Sequence, residues 1–366
     1  MTREAVVAVD RAALQHNVDV LRRAVAPAAV MAVVKANAYG HGAVESALAF
    51  EEAGVDWLGV VDLDEAVALR EGGVDASILS WLHAPGETFE RAAAFRITPA
   101  VSDLEQLEAC AAAGVPAVHL VIDTGLSRNG ATSSEWPALF DRAAELAGVV
   151  EIEGLMTHLS NTSPHEDGHQ MAAFVRAVGL LAERGITPPL QHLAASAAAL
   201  SYQASRITMV RFGLAMYGLS PFDDRASADL GLRPAMTLSA PVIGIKAVPA
   251  GEGTSYGYTW RASVDTRLAL LPIGYADGIA RHAGNSAQVL LGGRMRPVVG
   301  RVAMNALTVD IGPDDPADPV RLGDEAVFWG DEAAGHPTAA DWADATGTIN
   351  YEVVATLSPR LPRSCR

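Results

Sequence analysis

Short apolar runs alternate with amphipathic, alanine-rich stretches between residues 29 and 220. Each run has the length and the bounding turn residues of a buried strand, and the stretches between the runs repeat apolar positions at helical spacing. Several of these helical stretches close on glycine, the residue preferred just after a helix. We therefore predict eight strands separated by helices, at residues 30–35, 57–61, 77–81, 97–101, 118–123, 152–157, 190–194 and 207–212.

Eight strands with helical crossovers predict an α/β fold, a (β/α)8 TIM-type barrel, with a doubly wound sheet as the alternative. After Leu232 the chain changes to strand-like segments with Gly and Pro turns, and only residues 338–347 have a helical pattern. We place the barrel at residues 10–234 and a mainly β C-terminal domain at 235–366. A further strand at 5–9 is assigned to the second domain, and its pairing with the first barrel strand is the alternative.

The charge and the cysteine content narrow the classes of function. A formal net charge of −16 argues against binding nucleic acid or an anionic membrane, because both attract clustered lysine and arginine. Cys110 and Cys365 are too few for a disulfide framework. The first residues have neither the apolar core of a signal peptide nor a run that could cross a bilayer. We expect a cytoplasmic protein.

Polar side chains stand at the ends of five predicted strands: Lys35, Asp123, His158, His192 and Arg211. In a barrel, the carboxyl ends of the strands carry the chemistry. Lys35 ends an apolar run in the stretch VVKANAYGHG. A partly desolvated lysine has a lowered amine pKa, which favours a Schiff base with a carbonyl such as that of pyridoxal phosphate. A structural salt bridge is the alternative for this lysine.

Two short motifs suggest other chemistry and are rejected. His165, Glu166 and His169 match the zinc-protease pattern H-E-x-x-H, which needs both histidines on one face of a continuous helix. An Asp-Gly step lies inside the pattern, so we expect a helix there that is broken or only beginning, and no metal. Asp123 begins a D-T-G stretch, but an aspartic protease needs two such carboxylates and the chain has one.

Eight motifs spread over the whole length give the chain a resemblance to the bacterial alanine racemase family. In chain order they are AVVKANAYGHG, IDTGLSRNG, EGLMTH, VRFGLAMYG, SYGYTW, LPIGYADG, VGRVAMN and TINYEVV. The lysine motif together with IGYADG and INYEV is highly specific. The resemblance implies a barrel that binds pyridoxal 5'-phosphate, a β domain behind it, and the interconversion of L- and D-alanine.

The resemblance also implies a head-to-tail homodimer in which each active site is completed by the other subunit. Lys35 would hold the cofactor and act as one base, and Tyr256 of the partner subunit would act as the other. The further cofactor contacts that it implies are Tyr39, His158, Ser196, Arg211, Gly213, Leu214 and Tyr351. The contacts that it implies with the amino-acid substrate or at the site entrance are Arg128, Tyr275, Arg281, Arg301 and Met304.

Four positions depart from the family pattern. Val121 stands where the family commonly has a lysine, Ala195 replaces an asparagine, and Ala303 and Asn305 replace a cysteine and an aspartate. Because these positions surround the substrate, a different amino-acid substrate is one alternative. A decarboxylase or an aldolase on the same fold is a second alternative. A non-catalytic pyridoxal-phosphate carrier is a third, although a carrier would need neither Tyr256 nor the β domain.

Overall fold

Eight parallel strands that follow the N-terminal strand β1 (Val6–Val9) close into a barrel in the computed structural model, which describes residues 4–317 and 319–366. The barrel strands are β2 (Ala29–Val33), β3 (Trp57–Val60), β4 (Ser77–Ser80), β5 (Thr98–Val101), β6 (Ala117–Val121), β7 (Glu151–Met156), β8 (Leu190–His192) and β9 (Met209–Phe212). Each strand pairs in parallel with its neighbour from β2 to β8, and β9 pairs with β2.

Backbone hydrogen bonds between β8 and β9 close the ring. The amide of Thr208 donates to the carbonyl of Gln191 at 3.2 Å, and the amide of Arg211 donates to the carbonyl of Ala194 at 3.0 Å. The predicted barrel is confirmed, and the alternative of a doubly wound sheet is wrong because an open sheet would leave these two strands apart.

Helices return the chain on the outside of the barrel. They are α1 (Arg11–Val25), α3 (Ala43–Glu52), α4 (Leu63–Glu71), α5 (Glu90–Ala94), α6 (Leu104–Ala112), α7 (Trp136–Glu145), α8 (Pro164–Ala182) and α9 (Ser196–Ser201). The label α2 (Lys35–Tyr39) denotes a single turn that follows β2 and contributes to the cavity described below. Asp10, Asp62 and Asp103 begin α1, α4 and α6 by accepting a hydrogen bond from the amide three residues ahead. Alternate strand positions fill the barrel interior with Met31, Trp57, Leu79, Ala100, Val121, Met156 and Met209.

The second domain is a nine-stranded, mostly antiparallel sheet with a small two-stranded ribbon. Its strands are β10 (Met236–Pro241), β11 (Gly244–Val248), β12 (Gly253–Thr254), β13 (Trp260–Arg261), β14 (Thr266–Leu271), β15 (Gln288–Leu291), β16 (Arg294–Val299), β17 (Leu307–Gly312), β18 (Glu325–Trp329) and β19 (Arg363–Cys365). The helix α10 (Ala339–Thr346) lies where the pattern predicts one, whereas α11 (Asn350–Ala355) was not predicted.

Strand β1 pairs with β10 in antiparallel and with β19 in parallel orientation, so it lies in the sheet of the second domain. The alternative pairing with the first barrel strand is wrong, because β2 already has β3 on one edge and β9 on the other. In the described part of the chain, seven short 3-10 helices join the elements, at Gln203–Ser205, Leu214–Tyr217, Ala228–Leu230, Tyr256–Tyr258, Tyr275–Asp277, Arg281–Ala283 and Glu332–Ala334.

The H-E-x-x-H pattern occupies the first turns of α8. The helix is only beginning there, which is one of the two forms that we expected, and α8 accommodates Gly168 and continues to Ala182. The rings of His165 and His169 contact each other on the exposed face, with centroids 4.3 Å apart. Across residues 4–317 and 319–366, no group of three His, Cys, Asp or Glu side chains is arranged to hold a metal ion.

Candidate active site

A cavity of about 270 Å³ opens at the carboxyl ends of the barrel strands. Polar side chains from four strand ends line it, namely Lys35, Asp123, His158 and Arg211. Apolar side chains also line it, namely Val61, Trp81, Leu82, Val121 and Met156. The fifth strand-end residue, His192, does not line the cavity and lies buried beneath Arg211. The structure thus brings most of the predicted barrel residues to one place.

Lys35 begins a turn whose backbone is left-handed. The φ angles of Ala36, Asn37, Ala38 and Tyr39 lie between 52° and 54°, and none of these residues is glycine. Such a conformation costs on the order of 1–2 kcal/mol for each residue with a Cβ. The predicted strand over 30–35 therefore ends early, at Val33, and the lysine stands on a strained turn. Strain of this kind is typical of functional sites.

Side chains around the turn satisfy its backbone groups. The carboxylate of Glu65 accepts a hydrogen bond from the amide of Ala36 at 2.7 Å and another from the amide of Val61 at 2.9 Å. The Nδ1 of the buried His41 lies 3.0 Å from the carbonyl oxygens of Ala38 and Tyr39. Sequence reasoning missed Glu65 and His41, because neither stands at a strand end.

The second domain also contacts this turn. A Cβ on Gly40 would lie 2.1 Å from the carbonyl oxygen of Val354 in α11, so only glycine permits this close approach. The guanidinium of Arg363 donates a hydrogen bond to the carbonyl of Gly40 at 2.7 Å. Helix α11 thereby brings Tyr351 near Tyr39, with ring centroids 6.3 Å apart.

The environment of Lys35 favours a neutral amine. Its pKa is lowered from the usual value, first by burial and then by the positive charge of Arg128, although Glu65 opposes the shift. A neutral amine is a nucleophile and a base, whereas an ammonium group is neither.

Both terminal nitrogens of the Arg211 guanidinium have acceptors within the protein. Its Nη1 donates to the carbonyl of His192 at 2.9 Å, and its Nη2 donates to the carbonyl of Thr157 at 2.7 Å. Within the described part of the chain, no acceptor meets its Nε. One N–H of a buried guanidinium is thus left for a ligand in the cavity.

His158 is held as a neutral ring. Burial, followed by the positive charge of Arg211, lowers the pKa of His158 to about 3. Its Nδ1 lies 3.3 Å from Nη2 of Arg211, which can only donate, so the proton of His158 resides on Nε2. A neutral imidazole at this position can pack against a flat ligand without adding charge.

Hydroxyls and backbone amides gather around Gly213, which lines the cavity together with Tyr39. The amide of Gly213 donates to Oγ of Ser196 at 3.2 Å, and a Cβ on Gly213 would lie 2.2 Å from the hydroxyl of Tyr39. Leu214 follows Gly213 directly and begins a short 3-10 helix. Burial raises the pKa of both Tyr39 and Tyr351, which keeps their hydroxyls protonated as donors. These groups suit an anion such as a phosphate.

Arg128 follows the D-T-G stretch on a loop shaped by Asp123. The Oδ1 of Asp123 accepts hydrogen bonds from the amides of Gly125 at 2.8 Å and Ser127 at 3.1 Å. This carboxylate therefore orders the loop that leads to Arg128. The exposed guanidinium of Arg128 forms no hydrogen bond with any described residue and lines the cavity, where a substrate carboxylate could meet it.

The substrate-side residues from the second domain lie away from this cavity. Tyr256 is 70% exposed, and Tyr275 and Met304 are also exposed, on the surface of the β domain. They belong to one cluster: the hydroxyl of Ser255 donates to the carbonyl of Arg301, and the amide of Tyr275 donates to the carbonyl of Ala303 at 3.0 Å. A single chain therefore presents the cavity and the tyrosine cluster as separate surfaces.

Two family profiles match the chain, one over the barrel and one over the second domain. The sequence profile of the alanine racemase N-terminal domain matches residues 9–221, and that of the C-terminal domain matches residues 235–365. The chain belongs to the alanine racemase family. This family depends on pyridoxal phosphate and its reaction is a racemisation, so its members are isomerases.

Relatives and solved structures are similar over the full length. The alanine racemase of Salinispora arenicola is 46% identical, over 99% of this chain and 98% of the relative. That of Mycolicibacterium smegmatis is 44% identical, over 97% of this chain and 93% of the relative. Alanine racemase from D-cycloserine-producing Streptomyces lavendulae superposes with a TM-score of 0.95 at 39% identity. That of Streptomyces coelicolor A3(2) gives 0.94 at 41%, and both structures match 100% of this chain and 98% of their own.

The family's cofactor fits the residues of the barrel. Lys35 supplies the amine, the region around Tyr39, Ser196 and Gly213 suits the phosphate, and Arg211 has one N–H to offer the pyridine nitrogen. A guanidinium does not release its proton at neutral pH, so it would leave that nitrogen unprotonated.

Replacing Gly213 by alanine tests the phosphate region. The new Cβ would collide with the Tyr39 hydroxyl, so we expect the affinity of the apoprotein for pyridoxal phosphate to fall by about tenfold or more. Fluorescence titration with pyridoxal phosphate measures this change. Gly168→Ala is the matched control, because a Cβ there meets no atom within 4 Å. Equal affinities of the two variants would contradict this assignment.

Proposed function

We propose that this protein interconverts L- and D-alanine with pyridoxal phosphate, using Lys35 and the Tyr256 of a second copy as two opposed bases. The observation that carries the proposal is the division of the reactive groups between two surfaces of one chain. Lys35 lies in the barrel cavity, whereas Tyr256 is exposed on the second domain. A second copy can bring its tyrosine to the cavity in a head-to-tail homodimer.

The size of the cavity favours a small amino acid. Its volume of about 270 Å³ lies below the range of about 300–1,000 Å³ that is usual for drug-sized ligands. The cofactor would occupy part of this volume, and the lining includes bulky side chains such as Trp81, Leu82 and Met156. Alanine, with a methyl side chain, fits what is left.

The residues of the chain divide the work of inversion. When bound, pyridoxal phosphate withdraws electrons from the α-carbon of the amino acid and so acidifies its α-proton. The amine of Lys35 holds or accepts a proton on one face of the α-carbon, and the hydroxyl of Tyr256 from the second copy does so on the other. Arg128 orients the substrate carboxylate. Two bases on opposite faces are required for inversion, because one base would return the proton to the face it left.

The four departures from the family pattern are compatible with this activity. Val121 is buried and lines the cavity, as does Ala195, and neither residue introduces a charge of its own that would need a partner. Ala303 contributes its backbone, since its carbonyl accepts the amide of Tyr275. Asn305 is exposed on the second domain. We propose that alanine remains the substrate despite these changes.

We also propose a cytoplasmic location. Cys110 and Cys365 are both free thiols, as in a reducing compartment. Over the described ranges, the helices are all too short or too polar to cross a membrane.

Proton exchange in D₂O tests the activity directly. The purified protein with pyridoxal phosphate is incubated with L-alanine, and separately with other L-amino acids. Proton NMR follows loss of the α-proton signal, and chiral chromatography identifies the products. We expect fast exchange with alanine and the appearance of D-alanine. Exchange only with another amino acid would show that alanine is not the substrate. Release of the carboxylate as CO₂ would favour a decarboxylase, and release of an aldehyde would favour an aldolase.

A further inference from the structure

Two buried histidines continue from Arg211 along the barrel interior. The Nδ1 of His192 lies 2.9 Å from Nη1 of Arg211, and the Nε2 of His192 lies 2.9 Å from Nδ1 of His119. Both histidines are fully buried, and their rings meet edge to face. At the far end, the Nε2 of His119 lies 3.7 Å from Oε2 of Glu153, whose side chain is 29% exposed. The four side chains form one row.

The chemistry of arginine gives this row a single direction. A guanidinium has no acceptor, so the Nδ1 of His192 must accept from Arg211, and its own proton must be on Nε2. That Nε2–H then donates to His119, whose Nδ1 must in turn be unprotonated. The proton of His119 is consequently on Nε2, which lies near the carboxylate of Glu153 but forms no hydrogen bond with any described residue. One donor-only residue thus determines the tautomers of both rings.

The same surroundings keep both rings neutral. Burial lowers the pKa of His192, and the adjacent Arg211 lowers it further. Burial also lowers the pKa of His119, although Glu153 acts against it. A proton added to Nδ1 of His192 would face the N–H of Arg211 and break the row. The guanidinium is therefore the cationic member of this row.

The barrel is modified locally to hold His119. On β7, Gly154 lies opposite His119, and a Cβ there would lie 2.4 Å from its ring. The pairing of β6 with β7 shifts register at His119, so Glu153 is an extra residue beside it. The ring of Trp57 contacts the same imidazole, with centroids 5.2 Å apart. Burying a polar ring is costly where an apolar side chain would fill the space, so this arrangement indicates a role.

We propose that His119 is a positioning residue for the reaction, acting through His192. The two imidazoles form a one-way hydrogen-bond chain that fixes the plane of the Arg211 guanidinium, and with it the direction of the Nε–H that meets the cofactor's pyridine nitrogen. The role in the reaction rests on the proposed function, whereas the hydrogen-bond chain belongs to the apoprotein. The two can therefore be tested separately.

Nitrogen-15 NMR of protein labelled at histidine tests the chain in the wild-type apoprotein. Protonated and unprotonated ring nitrogens have well-separated shifts, and His119→Asn and His192→Asn assign the signals. We expect both rings to carry their proton on Nε2 and to stay neutral across the neutral pH range. An Nδ1–H tautomer or an imidazolium at either residue would overturn the proposal, whatever reaction the enzyme performs.

Two variants of His119 separate positioning from packing. His119→Asn keeps an acceptor near the place of Nδ1, whereas His119→Phe keeps an aromatic ring and removes the acceptor. For His119→Phe we expect kcat to fall by about tenfold at a nearly unchanged KM, with a shifted absorption band of the bound cofactor. His119→Asn should resemble the wild type in both measurements. Equal behaviour of the two variants would overturn the positioning role. A wild-type protein without racemase activity would refute the proposed function and leave the tautomer result intact.

Discussion

Replacing Lys35 by alanine is expected to abolish racemisation, with a loss of about 1,000-fold or more in kcat/KM. The lysine is both the attachment point for the cofactor and one of the two proposed bases, so its loss removes two functions at once. Chiral chromatography of alanine after long incubation measures the residual rate. Retention of even a tenth of the activity would exclude Lys35 from both roles.

The small number of lysines in the chain allows the attachment site of the cofactor to be identified directly. The sequence contains two lysines, Lys35 and Lys246, and Lys246 is exposed on β11 of the second domain. Lys246→Arg leaves Lys35 as the single lysine and should retain full activity. Borohydride reduction of this variant with pyridoxal phosphate, followed by mass spectrometry, should place the label on the peptide that contains Lys35. A label found only at the N-terminal amine would contradict the assignment.

The charge of Lys35 also has a consequence for stability. Its folded-state pKa lies below the unfolded value, so the folded protein disfavours the ammonium form, and stability rises as the pH increases through the folded pKa. Lys35→Met removes this charge and keeps a side chain of similar length. We expect the variant apoprotein to unfold at a higher temperature than the wild type near neutral pH, and the difference to shrink at alkaline pH.

Replacing Tyr256 by phenylalanine is expected to reduce racemisation by about 100-fold or more, because only the hydroxyl of the second base is removed. The side chain is exposed and forms no part of the core of its own chain, so folding should be unaffected. Cofactor binding should also remain. Exposed Tyr258, two residues along the same turn, gives the matched control, and Tyr258→Phe should stay active. A decarboxylase or an aldolase would tolerate Tyr256→Phe.

Mixing two inactive variants tests whether the sites are shared. In a dimer of Lys35→Ala with Tyr256→Phe, one site combines both defects and the other combines both intact residues. Random exchange makes half of the dimers mixed, each with one intact site, so about a quarter of the wild-type activity should return. If each chain used its own tyrosine, both sites of the mixed dimer would remain defective and no activity would return.

The sequence predicts the barrel well because its strands are apolar runs of regular spacing. The predicted strand at 77–81 differs from β4 by one residue, and that at 57–61 differs from β3 by one residue. The left-handed turn after Lys35 could not be predicted, since four residues with side chains adopt a conformation that local preference opposes. Tertiary contacts from Glu65 and the second domain impose it.

The site could be predicted only where a motif or a strand end marks it. His119 lies within a strand and reads as an ordinary β-sheet residue. The sequence feature that could have marked it is its position two residues before Val121. This spacing places both side chains on the face of β6 that lines the barrel interior. Gly154 opposite it would have been the second signal. Neither is recognisable before the pairing of β6 with β7 is known.

Residues of the second domain support the turn that carries Lys35. This dependence affects the order in which the parts of the site can form during synthesis. The turn that presents Lys35 is braced by Val354 and Arg363, both of which lie among the last residues of the chain. During synthesis these residues leave the ribosome more than 300 positions after Lys35. A nascent barrel can therefore form its sheet while the reactive amine lacks its final support. The chain gains a correctly placed nucleophile only after the second domain has been synthesised.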